Sequence, residues 1–223
     1  MAKKSKWPLR TFFLLLYFYT PTYGLWPYSS QGQIEICDTA NNLSFVCDCT
    51  EPNVICQGLD LIDLHLILPD DTDVADFSRN EVSTVGKISF LWPTSIVEIN
   101  LSRNQIKSIV IEAFQDFLAL ETLNLSFNLL ESLDSKVLQH LIHLNNLDLS
   151  HNLLHTVNAD WFDVANNNLI RLNLAYNYLG DLAWTEESLA NLPWLEYLDL
   201  TNCSFGLLPI EIFHNNTRLK ELR

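Results

Sequence analysis

Glycine is scarce: only 6 of the 223 residues are glycine. None falls in a phosphate-cradling or dinucleotide-binding spacing. The patterns H-E-x-x-H and G-x-S-x-G are also missing, so no catalytic motif is in view and no enzyme is expected. Basic residues are few, with 13 Lys and Arg against 27 Asp and Glu and a formal charge of −14. So acidic a surface argues against nucleic acid or an anionic membrane as the main partner. Long apolar runs are lacking as well. The eight residues Phe12–Tyr19 fall well short of the about 20 needed to cross a bilayer. Four of the 5 cysteines are bunched as Cys37, Cys47, Cys49 and Cys56, and their spacing lacks the C-x2-C pair of a structural zinc site. Asp70, Asp71, Asp73 and Asp76 do not follow an EF-hand loop. No cofactor and no metal is expected.

Residues 1–24 carry Lys3, Lys4, Lys6 and Arg10, then the apolar run, then the small residues Thr22 and Gly24 ahead of Leu25. That order is the grammar of a secretory signal peptide. Its removal leaves 9 basic against 27 acidic residues. An oxidising destination makes the cysteine cluster a disulfide framework. Cys203, the odd one, occupies a core position and reads as a buried structural thiol.

The rest of the chain repeats itself. Leu144 to Leu154 reads L-x-x-L-x-L-x-x-N-x-L, which is the signature of the leucine-rich repeat. Copies run from Ile96 to Ile106, Leu120 to Leu130, Leu169 to Leu179 and Leu195 to Phe205, with a worn one from Thr72 to Val82. The asparagine position falls at Asn80, Asn104, Asn128, Asn152, Asn177 and Cys203, in steps of 24, 24, 24, 25 and 26 residues. Leu147 and Leu149 are two apart and point into a core, whereas Asp148 and Ser150 point to solvent. Leu154, Val157, Trp161 and Phe162 fill that core from the return path. His140 and His143, set between Val137, Leu138, Leu141 and Leu144, are expected to face solvent.

Cys37, Cys47, Cys49 and Cys56, followed by Leu68-Pro69-Asp70-Asp71-Thr72, resemble the cysteine-rich amino-terminal cap of extracellular leucine-rich-repeat proteins. That family includes Toll-like receptors, Slit-type guidance proteins and the small proteoglycans. The resemblance implies bonds of Cys37 with Cys49 and of Cys47 with Cys56, although the first cysteine spacing is longer here than in the family. It implies an α/β solenoid, a curved horseshoe with a parallel sheet on its concave face and few true helices. Within the cap, residues 45–49 and 54–56 read as two strands around a turn at 51–53. The expected organisation is a signal peptide at 1–24, a linker at 25–36, the cap at 37–71, and at 72–223 six repeats with the start of a seventh. No carboxyl-terminal cap follows. The open end is a candidate site for a dimer partner, and a membrane anchor is expected only if the chain continues past Arg223.

Function is sought among residues outside the template. On the concave face one variable column runs Val74, Glu98, Thr122, Asn146, Arg171, Tyr197, and another runs Arg79, Arg103, Phe127, His151, Tyr176, Asn202. Phe127, His151, Arg171, Tyr176, Tyr178 and Tyr197 form the candidate contact patch for a protein ligand on that face or its rim. Sequons at Asn42, Asn100, Asn124 and Asn215 are candidate glycosylation sites; another at Asn202 lies beside the asparagine ladder. Glycans on Asn100 and Asn124 would cover the amino-terminal part of the face and leave the aromatic part open. The expected role is the ligand-binding ectodomain, or part of it, of a cell-surface receptor or adhesion protein. The alternative is a secreted matrix or structural protein.

Overall fold

The template places a strand on the second leucine of each copy, where an inward leucine stands between two outward polar residues. A computed structural model describes residues 34–35, 47–50, 52–64, 66–69, 71–86, 95–162, 168–180, 184–185, 187–209 and 211–223. In chain order its strands are β1 (Ile34–Glu35), β2 (Asp48–Thr50), β3 (Asn53–Ile55), β4 (Leu66–Ile67), β5 (Val74–Asp76), β6 (Thr84–Val85) and β7 (Glu98–Asn100). Then follow β8 (Ser108–Ile109), β9 (Thr122–Asn124), β10 (Asn146–Asp148), β11 (Arg171–Asn173), β12 (Tyr197–Asp199) and β13 (Glu221–Leu222). One sheet runs β13-β12-β11-β10-β9-β7-β5-β3-β2, and a second pairs β6 with β8 across the return path. The remaining pair is β1 with β4.

Register in the main sheet follows the template. Ala75, Ile99, Leu123, Leu147, Leu172 and Leu198 lie side by side in parallel strands, and all are buried. The third leucine column (Leu101, Leu125, Leu149, Leu174, Leu200) is buried behind them. Each fully buried leucine contributes about 1.5–3 kcal/mol. The core is continuous from Val54 to Ile212. Among the described residues the return path holds no α-helix; besides β6 and β8 it is built of turns and of 3-10 segments at Ser135–Val137 and Ala159–Phe162. The Asp134 carboxylate accepts from the Lys136 amide and starts the first of these. Trp161 is buried, and its indole N–H donates to the Leu133 carbonyl at 2.8 Å. His140 and His143 are exposed. No helix of the described residues is long and apolar enough to cross a membrane.

At the amino-terminal end the sheet changes sense. β2 and β3 form an antiparallel hairpin, and β3 continues in parallel onto β5. The hairpin sits about one residue off the expected strands, since Asn53 pairs with Thr50 and belongs to β3 rather than to the turn. A disulfide joins Cys47 to Cys56, with Cα atoms 4.3 Å apart. Cys49 is also disulfide-bonded. Cys37, Asn42, the signal peptide and the linker before β1 fall outside the described residues, and so does the expected Cys37–Cys49 bond. Gly58, at φ 68°, turns the chain out of the hairpin, and its amide donates to the Ser78 carbonyl.

Candidate recognition surface

Two ladders of side chains set the face. The inner one is asparagine. Asn152 donates to the carbonyls of Leu125 and Leu149, both at 3.0 Å, and accepts from the Leu130 amide at 3.1 Å. Asn104, Asn128 and Asn177 repeat the arrangement. Asn80 extends it to the cap by donating to the Cys56 carbonyl. At the next position Cys203 substitutes a thiol, which donates to the Leu174 carbonyl at 3.2 Å. Burial pushes that thiol's pKa up, and Cys203 is the free cysteine of the described residues.

The outer ladder corrects an expectation. Ser150, expected to face solvent, is buried, and so are Ser78, Ser102 and Ser126 at the same position of their repeats. The preceding Asp or Asn folds back, and its Oδ1 accepts the amide two residues on: Asp76 to Ser78, Asn100 to Ser102, Asn124 to Ser126, Asp148 to Ser150. Asn173 and Asp199 do the same with Ala175 and Thr201. These are Asx turns, which end each strand and turn the chain inward. Hence D/N-L-S is scaffold, as its regularity implies, but for a local hydrogen bond and not for an outward serine.

After each Asx turn the backbone enters the left-handed region. Arg79, Arg103, Phe127, His151, Tyr176 and Asn202 have φ between 52° and 58°. For non-glycine residues this conformation costs roughly 1–2 kcal/mol each. It stacks the side chains of successive repeats. The Phe127 and His151 rings lie 3.9 Å apart and 10° from parallel; those of His151 and Tyr176 lie 4.2 Å apart at 8°. The Arg103 guanidinium covers the other face of Phe127 at 4.1 Å. Arg103 belongs to the site although its sequence gives no sign beyond its column. Phe127 and Tyr176 remain 38% and 46% exposed, so the rings present their edges to solvent.

The other candidates separate from this stack. Arg171 lies over the Tyr197 ring at 4.4 Å, and the Tyr197 hydroxyl donates to Asp199 at 3.0 Å. Burial, then the bond and charge of Asp199, raise the Tyr197 pKa. Burial pushes the Asp199 carboxyl upward, but hydrogen bonds from Thr201 and Tyr197 and the Arg223 charge outweigh it, so its pKa is lowered. Tyr178, across the asparagine ladder, stacks on His155 at 5.6 Å instead of joining Tyr176. Asn100 and Asn124 are half-buried neighbours on the sheet. Asn215 is exposed on the return path beside the buried Asn216, which donates to Leu189 and Leu192. Among the described residues no three His, Cys, Asp or Glu side chains gather to hold a metal.

The Leucine rich repeat family model matches residues 76–130, 94–154, 118–167 and 142–205, a continuous cover from 76 to 205. No curated protein sequence matches the chain. Among solved structures it is similar to a crystal structure of a TLR13–ssRNA13 complex, with 28% identity and a TM-score of 0.62. The likeness covers 70% of this chain and 22% of that one. That neighbour is a complex of a Toll-like receptor with single-stranded RNA, so it gives no support to excluding nucleic acid on net charge. Net charge averages over a surface on which Arg79, Arg103 and Arg171 all stand along one sheet. The repeat matches and the shared architecture agree: the chain belongs to the leucine-rich-repeat family.

Proposed function

We propose that the chain is part of an extracellular recognition module, the ligand-binding ectodomain of a cell-surface receptor or adhesion protein. Its ligand is a protein, held on the sheet face. The observation that carries this reading is the Arg103–Phe127–His151–Tyr176 stack, partly exposed at the ends of the strands, with the separate Arg171–Tyr197 pair on the sheet itself. Aromatic and arginine side chains held without mobile backbone are the usual anchors of protein contacts. The likeness to a receptor complex supports the class of role. Secretion follows from the signal-like residues 1–24, which precede the cap at 37–71 and the repeats from 72 onward. Glycans on Asn42, Asn100, Asn124 and Asn215 belong to the same reading, and glycopeptide mass spectrometry tests them. Asn100 and Asn124 found bare would remove the shielding of the amino-terminal part of the face.

Alanine at Tyr176 and Tyr197 in a pull-down from cell-surface and secreted proteins tests the contact. Partner capture falls if the face binds, and capture unchanged by both substitutions sinks the reading. The RNA in the similar complex favours one second reading, RNA on the same arginines. A mobility shift with single-stranded RNA tests it: a shift that weakens steeply with salt and with Arg103→Gln supports RNA, and no shift removes it.

A further inference from the structure

We infer that the contact is a strip along the carboxyl ends of the strands, and that it takes an extended protein segment bearing carboxylates and apolar side chains. This rests on the recognition reading above and narrows it. The strip begins with Arg79 and Arg103 and continues through the edges of Phe127, His151 and Tyr176. Two residues further along the chain, Leu129 and Tyr178 add a second exposed row at 36% and 55%.

Three observations carry it. The first is charge. Acidic residues outnumber basic ones 27 to 13. Yet Arg79 and Arg103 stand in neither of the ion pairs Lys220–Glu196 and Arg223–Glu221, and among the described residues neither has a carboxylate partner. Asp76 and Asp148 of the adjoining column hold their Asx turns, and neither forms an ion pair with Arg79 or Arg103. Two exposed guanidinium groups therefore await an anion.

The second is the orientation of the rings. Phe127 is covered by Arg103 on one face and His151 on the other, and His151 is covered on both. Only the outer face of Tyr176 ends the stack. Bases of a single-stranded nucleic acid need free ring faces on which to stack, whereas ring edges are the positive rim of the aromatic quadrupole. Carboxylate and carbonyl oxygens and aliphatic groups suit such a rim. This favours a polypeptide over RNA for the strip.

The third is strain. Asparagine and glycine suit a φ near 55°, and bulky side chains do not. Phe127 and Tyr176 hold that conformation while exposed, at 55° and 58°. Stacking on His151 and Arg103 offsets part of that cost, and the exposed ring edges are what remains for a partner to meet.

The test is selection of a random peptide library displayed on phage against the secreted protein, with the double variant Phe127→Asn, Tyr176→Asn as counter-target. Asparagine fits the left-handed turn and so offsets the lost ring contacts, and the variant is expected to fold cooperatively with a midpoint near that of the unsubstituted protein. Selected peptides are expected to combine acidic with aliphatic or aromatic residues. They bind the double variant roughly tenfold or more weakly, and Arg103→Gln has a like effect because it removes a charged contact. Peptides that bind the double variant equally, or that depend on Arg171 and Tyr197 instead, overturn the strip and leave the recognition reading standing. A basic consensus, or a single-stranded RNA probe whose binding needs Phe127 and Tyr176, also overturns it. No enrichment on any face overturns both readings.

Discussion

At Asn152 one side chain serves three backbone groups in a dry environment, the carbonyls of Leu125 and Leu149 and the amide of Leu130. Asn152→Ala leaves the Leu130 amide unsatisfied, at about 1–3 kcal/mol, whereas the carbonyls of Leu125 and Leu149 lose one donor but keep those of Asn128 and Asn177. Urea denaturation is expected to show a loss of about 1–3 kcal/mol; a loss within error of an exposed substitution would contradict the ladder. Cys203 gives the converse case. Its thiol donates only weakly, toward the carbonyls of Leu174 and Thr201, where the ladder elsewhere has an amide, so Cys203→Asn is expected to leave stability equal or higher. The thiol also makes stability depend on pH. Its folded pKa is raised by burial, so its contribution is complete below the unfolded value and declines as pH rises above about 8.5. Between there and about 10, where tyrosine begins to titrate, Cys203→Ala flattens the alkaline slope; an unchanged slope assigns the dependence to another group. The asparagines and Cys203 were legible in the repeat because a period of leucines makes any substituted position conspicuous. The left-handed column was not. A positive φ is set by the Asx turn before it, and Arg, Phe, His and Tyr carry no mark of that conformation.

Each strand element holds one inward residue between two outward ones, so a single strand has almost no stability of its own. Strand position was legible because alternation over x-L-x-L permits only one inward face. The outward serine was misplaced because alternation ends with the strand, and Asp148 turns Ser150 into the interior. Return segments were legible as core-filling residues but not as geometry, because turns and 3-10 segments this short leave no period to read. The cap hairpin is the element whose contribution separates most cleanly. Its Cys47–Cys56 bond closes a short loop, and removing a native disulfide of this kind costs about 2–4 kcal/mol. The double variant Cys47→Ser, Cys56→Ser is expected to lower the thermal midpoint. It also speeds amide exchange in β2 and β3, and then at Gly58 and Leu59, whose amides bond to the Ser78 carbonyl and the Asn80 side chain. Equal exchange in the two proteins would mean that the sheet end holds without the covalent closure.

Among the described residues each strand of the main sheet pairs with the strands of the adjacent repeats, and β9, β10, β11 and β12 follow in simple succession. Stability in such an array is a sum of repeat terms and interface terms, so damage is felt by distance along the stack. Leu147 tests this from the middle. It is 2% exposed and stands in register with Leu123 on one side and Leu172 on the other. Leu147→Ala removes buried volume at a cost of about 2–5 kcal/mol. The neighbouring amides that cross this repeat are those of Leu125, donating to Asp148, and Leu149, donating to Asn173. Hydrogen exchange followed by mass spectrometry is expected to show these amides losing protection most. Amides of β3 and β5, anchored to the disulfide-closed hairpin, retain most of theirs. The recognition strip crosses the same repeats, so peptide binding at Phe127, His151 and Tyr176 should restore protection around Leu149 before it affects β5. Uniform loss from β3 to β12 would show the stack unfolding as one unit, and would mean that the interfaces between repeats are stronger than the repeats they join.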